Sequence, residues 1–487
     1  MGNSPHTTVT PIHILDNDSL LNIFYLYRPA MLDGDENNSA RFTGGKPWDR
    51  ERWWYTLAHV CQRWQNLILG SASYLGVCLV CTIGTPIADM LAHSPTLPLI
   101  IDYFSEDDIT AEDEEAIVLA LNQRDRVRRI RLEVPCLGLQ KLAMAIDEEY
   151  PILEYLIMWP STEKTSAVLV LPETLQAPHL RHLALSSFAL PIGSRLLTTA
   201  VGLVTLCLFI GQPLTYFRPN TLLQWISFMP QLETIVVAHQ CPIPNRDVER
   251  QLMHTLTIPH VTLPNLRWFV FGGVSAYLEA VVRRITAPHI EKCQFNFFKQ
   301  LTFSIPRLLQ FLSTTENLRF DSARFRFEGK QIYVEMYLRE EADPKIYALI
   351  LNVFCGHLDW QVSSVAQIFD ALNQIFSPVE HLTLEHEVHN QSSEEHNEVD
   401  YAEWRKLLRS FSNVKTLTVE DGLVKKLACC LRLDDGELPL DLLPELQELT
   451  YSGTGDVGDA FTSFTDAFTP FTDARQKTGR PVTLVRS

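Results

Sequence analysis

Basic residues are in deficit: 41 Lys and Arg stand against 58 Asp and Glu, a formal charge of −17 over 487 residues. Neutralising a phosphate backbone needs clustered cations, so nucleic acid is excluded as the main partner. The same balance argues against an anionic membrane surface. Long apolar runs are missing too. The longest, Ala200 to Gly211, falls well short of the ~20 residues that span a bilayer. Met1 to Pro11 has neither a basic nor an apolar leader region, so no secretory signal is expected. Signatures of catalysis are absent: there is no G-x-S-x-G elbow, no G-x-x-x-x-G-K-[ST] phosphate loop and no G-x-G-x-x-G. No enzyme and no cofactor is expected. What the chain does have is 46% hydrophobic and 20% charged residues, the composition of a soluble protein with a sizeable folded core.

Residues that could hold a metal do not converge in the sequence. The ten cysteines are scattered through apolar segments. Cys78 and Cys81 have C-x-x-C spacing, but Val77 to Ile83 reads as a buried strand and no second pair stands at zinc-ribbon spacing. Asp33-x-Asp35-x-Asn37-x-Ser39 imitates the start of a calcium loop. It has Asn38 where that loop needs glycine and Gly44 where it needs a bidentate glutamate. His381, His386, His389 and His396 lie in a polar segment running to Asp400, which reads as a loop. The acidic runs Ser105 to Glu115 and Glu394 to Asp400 read as solvated surface.

The organisation has three parts. Residues 12–75 form a helical module: possible N-caps at Asp16 to Ser19 precede apolar residues at 20, 21, 23, 24 and 27. A polar loop over Asp33 to Gly45 follows. Trp53, Trp54, Leu57, Val60, Cys61, Trp64, Leu67 and Ile68 then recur at helical spacing. Residues 76–125 read as a connecting segment. From 126 to 487 a pattern of apolar residues at i, i+3 and i+5 repeats, as in Leu180-Leu183-Leu185, Leu203-Leu206-Leu208, Leu232-Ile235-Val237 and Val414-Leu417-Val419. Its period, mostly ~23–35 residues, is that of a strand-plus-helix repeat, and such units stack into a solenoid. The period breaks between Ile290 and Val379. There, alternating residues around Glu328-Gly329-Lys330 predict an irregular hairpin near 323–338. Phe461, Phe464, Phe468 and Phe471 predict a C-terminal cap over 458–486, against which Pro470 and many threonines weigh.

Alternation along each strand assigns the faces. Leu183, Leu206, Leu417 and Leu449 should point inward. Tyr155, Trp159, Phe209 and Trp268 then fall on the open face, followed by Lys292, Gln294 and Asn296, and later by Glu385 and Glu420. An apolar first half and an acidic second half suit a protein substrate bound by Tyr155, Trp159, Phe209, Trp268, Glu385 and Glu420. The alternative is that the hairpin, the tail helix or a long loop folds over the patch.

The first module resembles an F-box, in the form found in fungal (basidiomycete-type) F-box/leucine-rich-repeat proteins. The resemblance is carried by Leu15, Leu20-Leu21, Ile23-Phe24, Trp54, Leu57, Leu75 and above all Val60-Cys61-Gln62-Arg63-Trp64, similar to the family's V-C-[KR]-x-W element. Asp16 stands where the family usually has proline, and residues ~31–50 lengthen the helix connection. The resemblance implies an α/β chain, an N-terminal helical F-box followed by a leucine-rich-repeat-like solenoid of strand-plus-helix repeats. It further implies an adaptor that recruits an as yet unknown protein substrate to a Skp–cullin–F-box type ubiquitin ligase, in the cytoplasm, the nucleus or both. Leu15, Leu20, Leu21, Ile23, Phe24, Val60 and Trp64 would bind the Skp-type linker. The other reading of the same residues is a repeat scaffold with a degenerate F-box and no ligase.

Overall fold

The structure, a computed structural model, describes residues 14–28, 51–161, 168–191, 193–239, 260–298, 300–338, 347–386, 401–432, 440–453 and 459–486. The calcium-like loop, His389, His396 and the run Glu394 to Asp400 lie outside them. Two compact units divide the chain, Met1–Ala200 and Val201–Ser487.

The first unit begins with a helix over Asn17–Tyr27. Asp16, at the position where the F-box pattern has proline, is its N-cap: the carboxylate accepts the Ser19 N–H at 2.7 Å. The second helix expected from the sequence is broken into Trp53–Ala58 and Gln62–Gly70, with Cys61 extended between them at φ −164°, ψ 164°. The break lets one apolar stripe serve two surfaces. Trp64 meets Phe24 edge-on at 4.8 Å, whereas Trp54 donates its indole N–H to the Cys78 carbonyl at 3.1 Å. A last turn, Ala72–Leu75, ends at Gly76, whose φ of +65° is the left-handed conformation that glycine adopts without strain.

Parallel strands follow: β1 (Leu79–Cys81), β2 (Leu99–Phe104), β3 (Val127–Val134) and β4 (Tyr155–Pro160). The short β5 (Leu169–Val170) pairs with β7 (Phe188–Ala189), and β6 (His182–Ser186) adds to β4. Segment 76–125, read from the sequence as a connection, therefore carries β1, β2 and the helices Ile87–His93 and Ala111–Leu121. Its pattern hides because the β2–β3 register shifts at Leu99/Ile100. The acidic run there is partly structural. Thr110 caps the helix by accepting the Asp113 N–H, and Glu112, Asp113 and Glu114 fill its first turn, where the helix dipole favours anions.

In the second unit, β8 (Thr205–Ile210), β9 (Thr234–His239), β11 (Trp268–Gly273) and β13 (Lys292–Phe298) are parallel neighbours, with β10 (Val261–Thr262) paired to β12 (Ile285–Thr286). The break in the repeat is a meander: β14 (Ser322–Phe327), β15 (Gln331–Tyr337) and β16 (Tyr347–Phe354) are antiparallel in sequence, but enter the sheet in reverse order. Thus β16 lies beside β13, and β14 receives β17 (His381–His386). Parallel addition resumes with β18 (Thr416–Glu420), β19 (Glu448–Ser452) and β20 (Thr483–Arg486).

One inner row runs from β8 to β19: Leu206, Ile235, Phe269, Cys293, Leu349, Met336, Ala323, Leu382, Leu417 and Leu449 are register partners, and all are buried. Side-chain staples link successive repeats. Glu279 accepts the N–H groups of Arg307 and Leu308 at 2.9 and 2.7 Å, supplying the cap that the next helix, Pro306–Ser313, lacks locally. Gln361 donates to the carbonyls of Glu328 and Cys355. The tail is a continuous helix, Asp459–Lys477, despite Pro470. Its buried Phe464, Phe468 and Phe471 and fully buried Arg475 hold it, the last by donating to the carbonyls of Pro444 and Leu446.

Candidate functional site

Three surfaces carry the chemistry. On the helical module, the residues expected to meet a linker divide. Leu20, Phe24 and Trp64 are buried in the module's own core, whereas Ile23 and Val60 are 44% and 57% exposed and Leu15 and Leu21 are half-buried. Leu26, three residues after Ile23 and so on the same helix face, is 81% exposed. Arg63 ties the module's halves by donating to the Leu15 carbonyl and to Asn17 Oδ1. Spacing alone could not separate the two groups, because every one of these positions falls in a dense apolar stripe.

The open face of the first unit is spoken for at one end. Glu51 holds Arg129 at 2.6 Å, with both side chains largely buried. The Arg129 guanidinium lies 4.7 Å above the Tyr155 ring, which stacks on His182 at 4.2 Å. Tyr155 therefore sits inside a stack of the chain's own making. Trp159, farther along β4, is half-buried.

On the second unit's open face Phe209 and Trp268 are half-buried. Glu385 meets Arg324 and Arg326 at 3.4 and 3.5 Å, and Glu335 meets Arg326 at 3.5 Å. Burial pushes the Glu335 carboxyl above its ordinary value against the pull of Arg326 and Arg324. Burial works against the Arg326 charge as well, but Glu335 and then Glu385 outweigh it and raise its pKa. Glu420 accepts the His386 N–H at 2.6 Å. Both carboxylates expected to face a substrate are thus engaged within the chain.

Between the apolar and charged ends, the strands enclose an open trough of about 570 Å³. Its floor is a single register row across five strands: Ala238, Gly272, Asn296, Asn352 and Tyr333. At Gly272 a Cβ would lie 3.3 Å from the Cα and Cβ of Ala238, so glycine keeps the floor low. Gln294 lines one side, where its amide donates to Asn296 Oδ1 at 3.4 Å. Phe298 and its register partner Phe354 line the other. Buried beside the trough, His239 packs among Phe217, Phe271, Tyr216 and Tyr277, and burial lowers its pKa to about 4.

Sequence reasoning placed Gln294 and Asn296 on the open face but missed Asn352. Its place beside Asn296 depends on the β13–β16 pairing that skips two strands. Among the described residues no group of three or more His, Cys, Asp or Glu could hold a metal, and no helix is long and apolar enough to cross a membrane. Cys78 and Cys81 are buried free thiols, and burial pushes Cys81 up to about 12.

No protein-family model matches the chain, and no curated protein matches it. Among solved structures, the leucine-rich repeat-containing protein LegL7 from Legionella pneumophila is a weak neighbour. It is 11% identical with a TM-score of 0.24, over 63% of this chain and 84% of that one. A likeness at that level carries no argument about function.

Proposed function

We propose that the chain is a non-catalytic adaptor: its N-terminal module engages the Skp-type linker of a cullin–RING ubiquitin ligase, and its repeats present a protein substrate. The observation that carries this reading is the apolar surface left on the module. Ile14, Ile23, Leu26 and Val60 are 75%, 44%, 81% and 57% exposed, although the module already has a core in Leu20, Phe24, Trp64, Ile68 and Leu75. Apolar side chains left out by a helical module that has packed its own core suit a protein partner. Absence of covalent chemistry on the chain is part of the proposal. Burial raises the thiols of Cys78, Cys81, Cys207, Cys293, Cys355 and Cys430, so none of these is a ready nucleophile.

The test is co-precipitation of the full chain with a purified Skp-type linker. Replacing Ile23 and Val60 by Glu should abolish binding and leave the thermal transition of the repeats in place. Leu20 is unsuitable for this purpose, because as a core residue its replacement would unfold the module. Failure of the wild-type chain to bind any Skp-type linker sinks the ligase reading. A second reading, a repeat scaffold outside any ligase, is favoured by the module's anchorage on its own unit: Trp54 to Cys78, Arg52 to Thr82 and Glu51 to Arg129.

A further inference from the structure

The trough on the second unit's open face contains a polar group without a partner. Asn352 is 6% exposed, lines the trough, and its Oδ1 accepts no hydrogen bond. A buried carbonyl oxygen is costly to leave unmatched, and native proteins leave few of them without a purpose. One strand away on the same row stands Asn296, and Gln294 reaches it from the row beneath. Tyr333 continues the floor; its hydroxyl accepts from Gln331 Nε2 at 2.7 Å, which leaves the phenolic proton to donate.

These groups share one chemistry. A carboxamide presents an N–H donor and a carbonyl acceptor side by side, the same pair that a peptide unit presents. Among the described residues, none that lines the trough is an aspartate, glutamate, lysine or arginine. The floor row crosses four strand-to-strand intervals of ~4.8 Å, or ~19 Å, the length of five or six residues of extended chain at ~3.3 Å each. Sugars are a poorer match: among the described residues no carboxylate lines the trough to gather several hydroxyl protons, and Phe298 and Phe354 stand at the strand ends rather than in the floor row.

We propose that the trough binds an extended, uncharged polypeptide segment, with Asn296 and Asn352 pairing with its backbone amides and Phe298 and Phe354 flanking its side chains. This deepens the adaptor reading by naming the kind of substrate segment the repeats would hold. It rests on that reading only for the segment's source.

The probe is a displayed library of random heptapeptides, panned on the full chain. The selected peptide is then synthesised with natural and with N-methylated central amides. Asn352→Leu should weaken binding at least ten-fold while leaving the thermal midpoint equal or higher, because it removes an unmatched buried acceptor. Asn296→Leu should weaken binding similarly, and stands in if Asn352→Leu fails to fold. The exposed Gln224→Ala should change nothing, and N-methylation should cost as much as either asparagine. Wild-type affinity in both asparagine variants, no peptide retained by the wild type, or a selected consensus with charged central residues overturns the proposal. So does binding of an oligosaccharide that Asn352→Leu abolishes. None of these results bears on linker co-precipitation, which tests the ligase separately.

Discussion

Replacing His239 by Phe should make the protein less sensitive to acid. His239 is 2% exposed, its Nε2 has no hydrogen-bond partner, and its ring neighbours are aromatic. Burial alone lowers its pKa from 6.5 to about 4. The fold therefore prefers the neutral ring. Its contribution is fully present above pH 6.5 and is lost as pH falls towards 4. Unfolding frees the ring to take a proton that the fold refuses, and the difference between the two pKa values corresponds to ~3 kcal/mol. Between pH 7.5 and 5.5 the loss should be ~1.4 kcal/mol, because at pH 5.5 the unfolded ring is about nine-tenths charged while the folded ring remains neutral. Chemical denaturation of wild type and His239→Phe at both pH values measures it. Other titrating groups are common to the two proteins, so the difference between their pH dependences isolates this ring. The same pH dependence in both proteins would refute the reasoning, as would a His239 imidazole carbon resonance, identified by its loss in His239→Phe, that titrates near 6.5 in the folded chain.

Two further outcomes test the packing. Leu206→Ala, in the middle of the inner row and fully buried, should cost ~2–5 kcal/mol in chemical denaturation; a loss below ~1 kcal/mol means that the residue is not in the core. Glu279→Ala removes the acceptor of two backbone N–H groups at the start of the next helix. It should cost about 2 kcal/mol, with Glu279→Gln recovering part of the loss through its one remaining acceptor oxygen.

The inner face of the sheet was readable in the sequence because its signal is local. In Leu206-x-Leu208 or Leu417-x-Val419 each strand states its own alternation, and no knowledge of its neighbours is needed. The hairpin at 323–338 was readable for the same reason. What could not be read was the neighbour of each strand. Alternation is identical for a parallel and an antiparallel strand, so nothing in 322–354 announces that β16 rather than β14 lies against β13. With that pairing hidden, Asn296 and Asn352 were 56 residues apart rather than one strand apart. The fate of Glu385 was hidden similarly. Its partners Arg324 and Arg326 come from a strand that reaches it only through the reversed meander. In the helical module, hydrophobicity marked Leu20, Ile23, Phe24, Val60 and Trp64 alike. Only the fold separates those that are enclosed from those that face outward.

The reversed meander also sets the order in which the second unit can assemble. In a plain stack each new strand needs only the one made just before it, so the chain can close progressively as it is synthesised. Here β14 leaves the growing edge at β13 empty, and that edge is filled only when β16 arrives. Strands β17 to β20 then build outward from β14, with no direct pairing to β13. Residues 322–354 are thus a keystone rather than an ornament on the repeat. In the sheet these three strands stand between two parallel runs, β8 to β13 and β17 to β20, and join one to the other. Closing the β13 edge joins Cys293 to Leu349, 56 residues apart, and seating β17 joins Ser322 to His381, 59 apart; these two pairings close the longest loops in the second unit's sheet and carry its largest ordering cost.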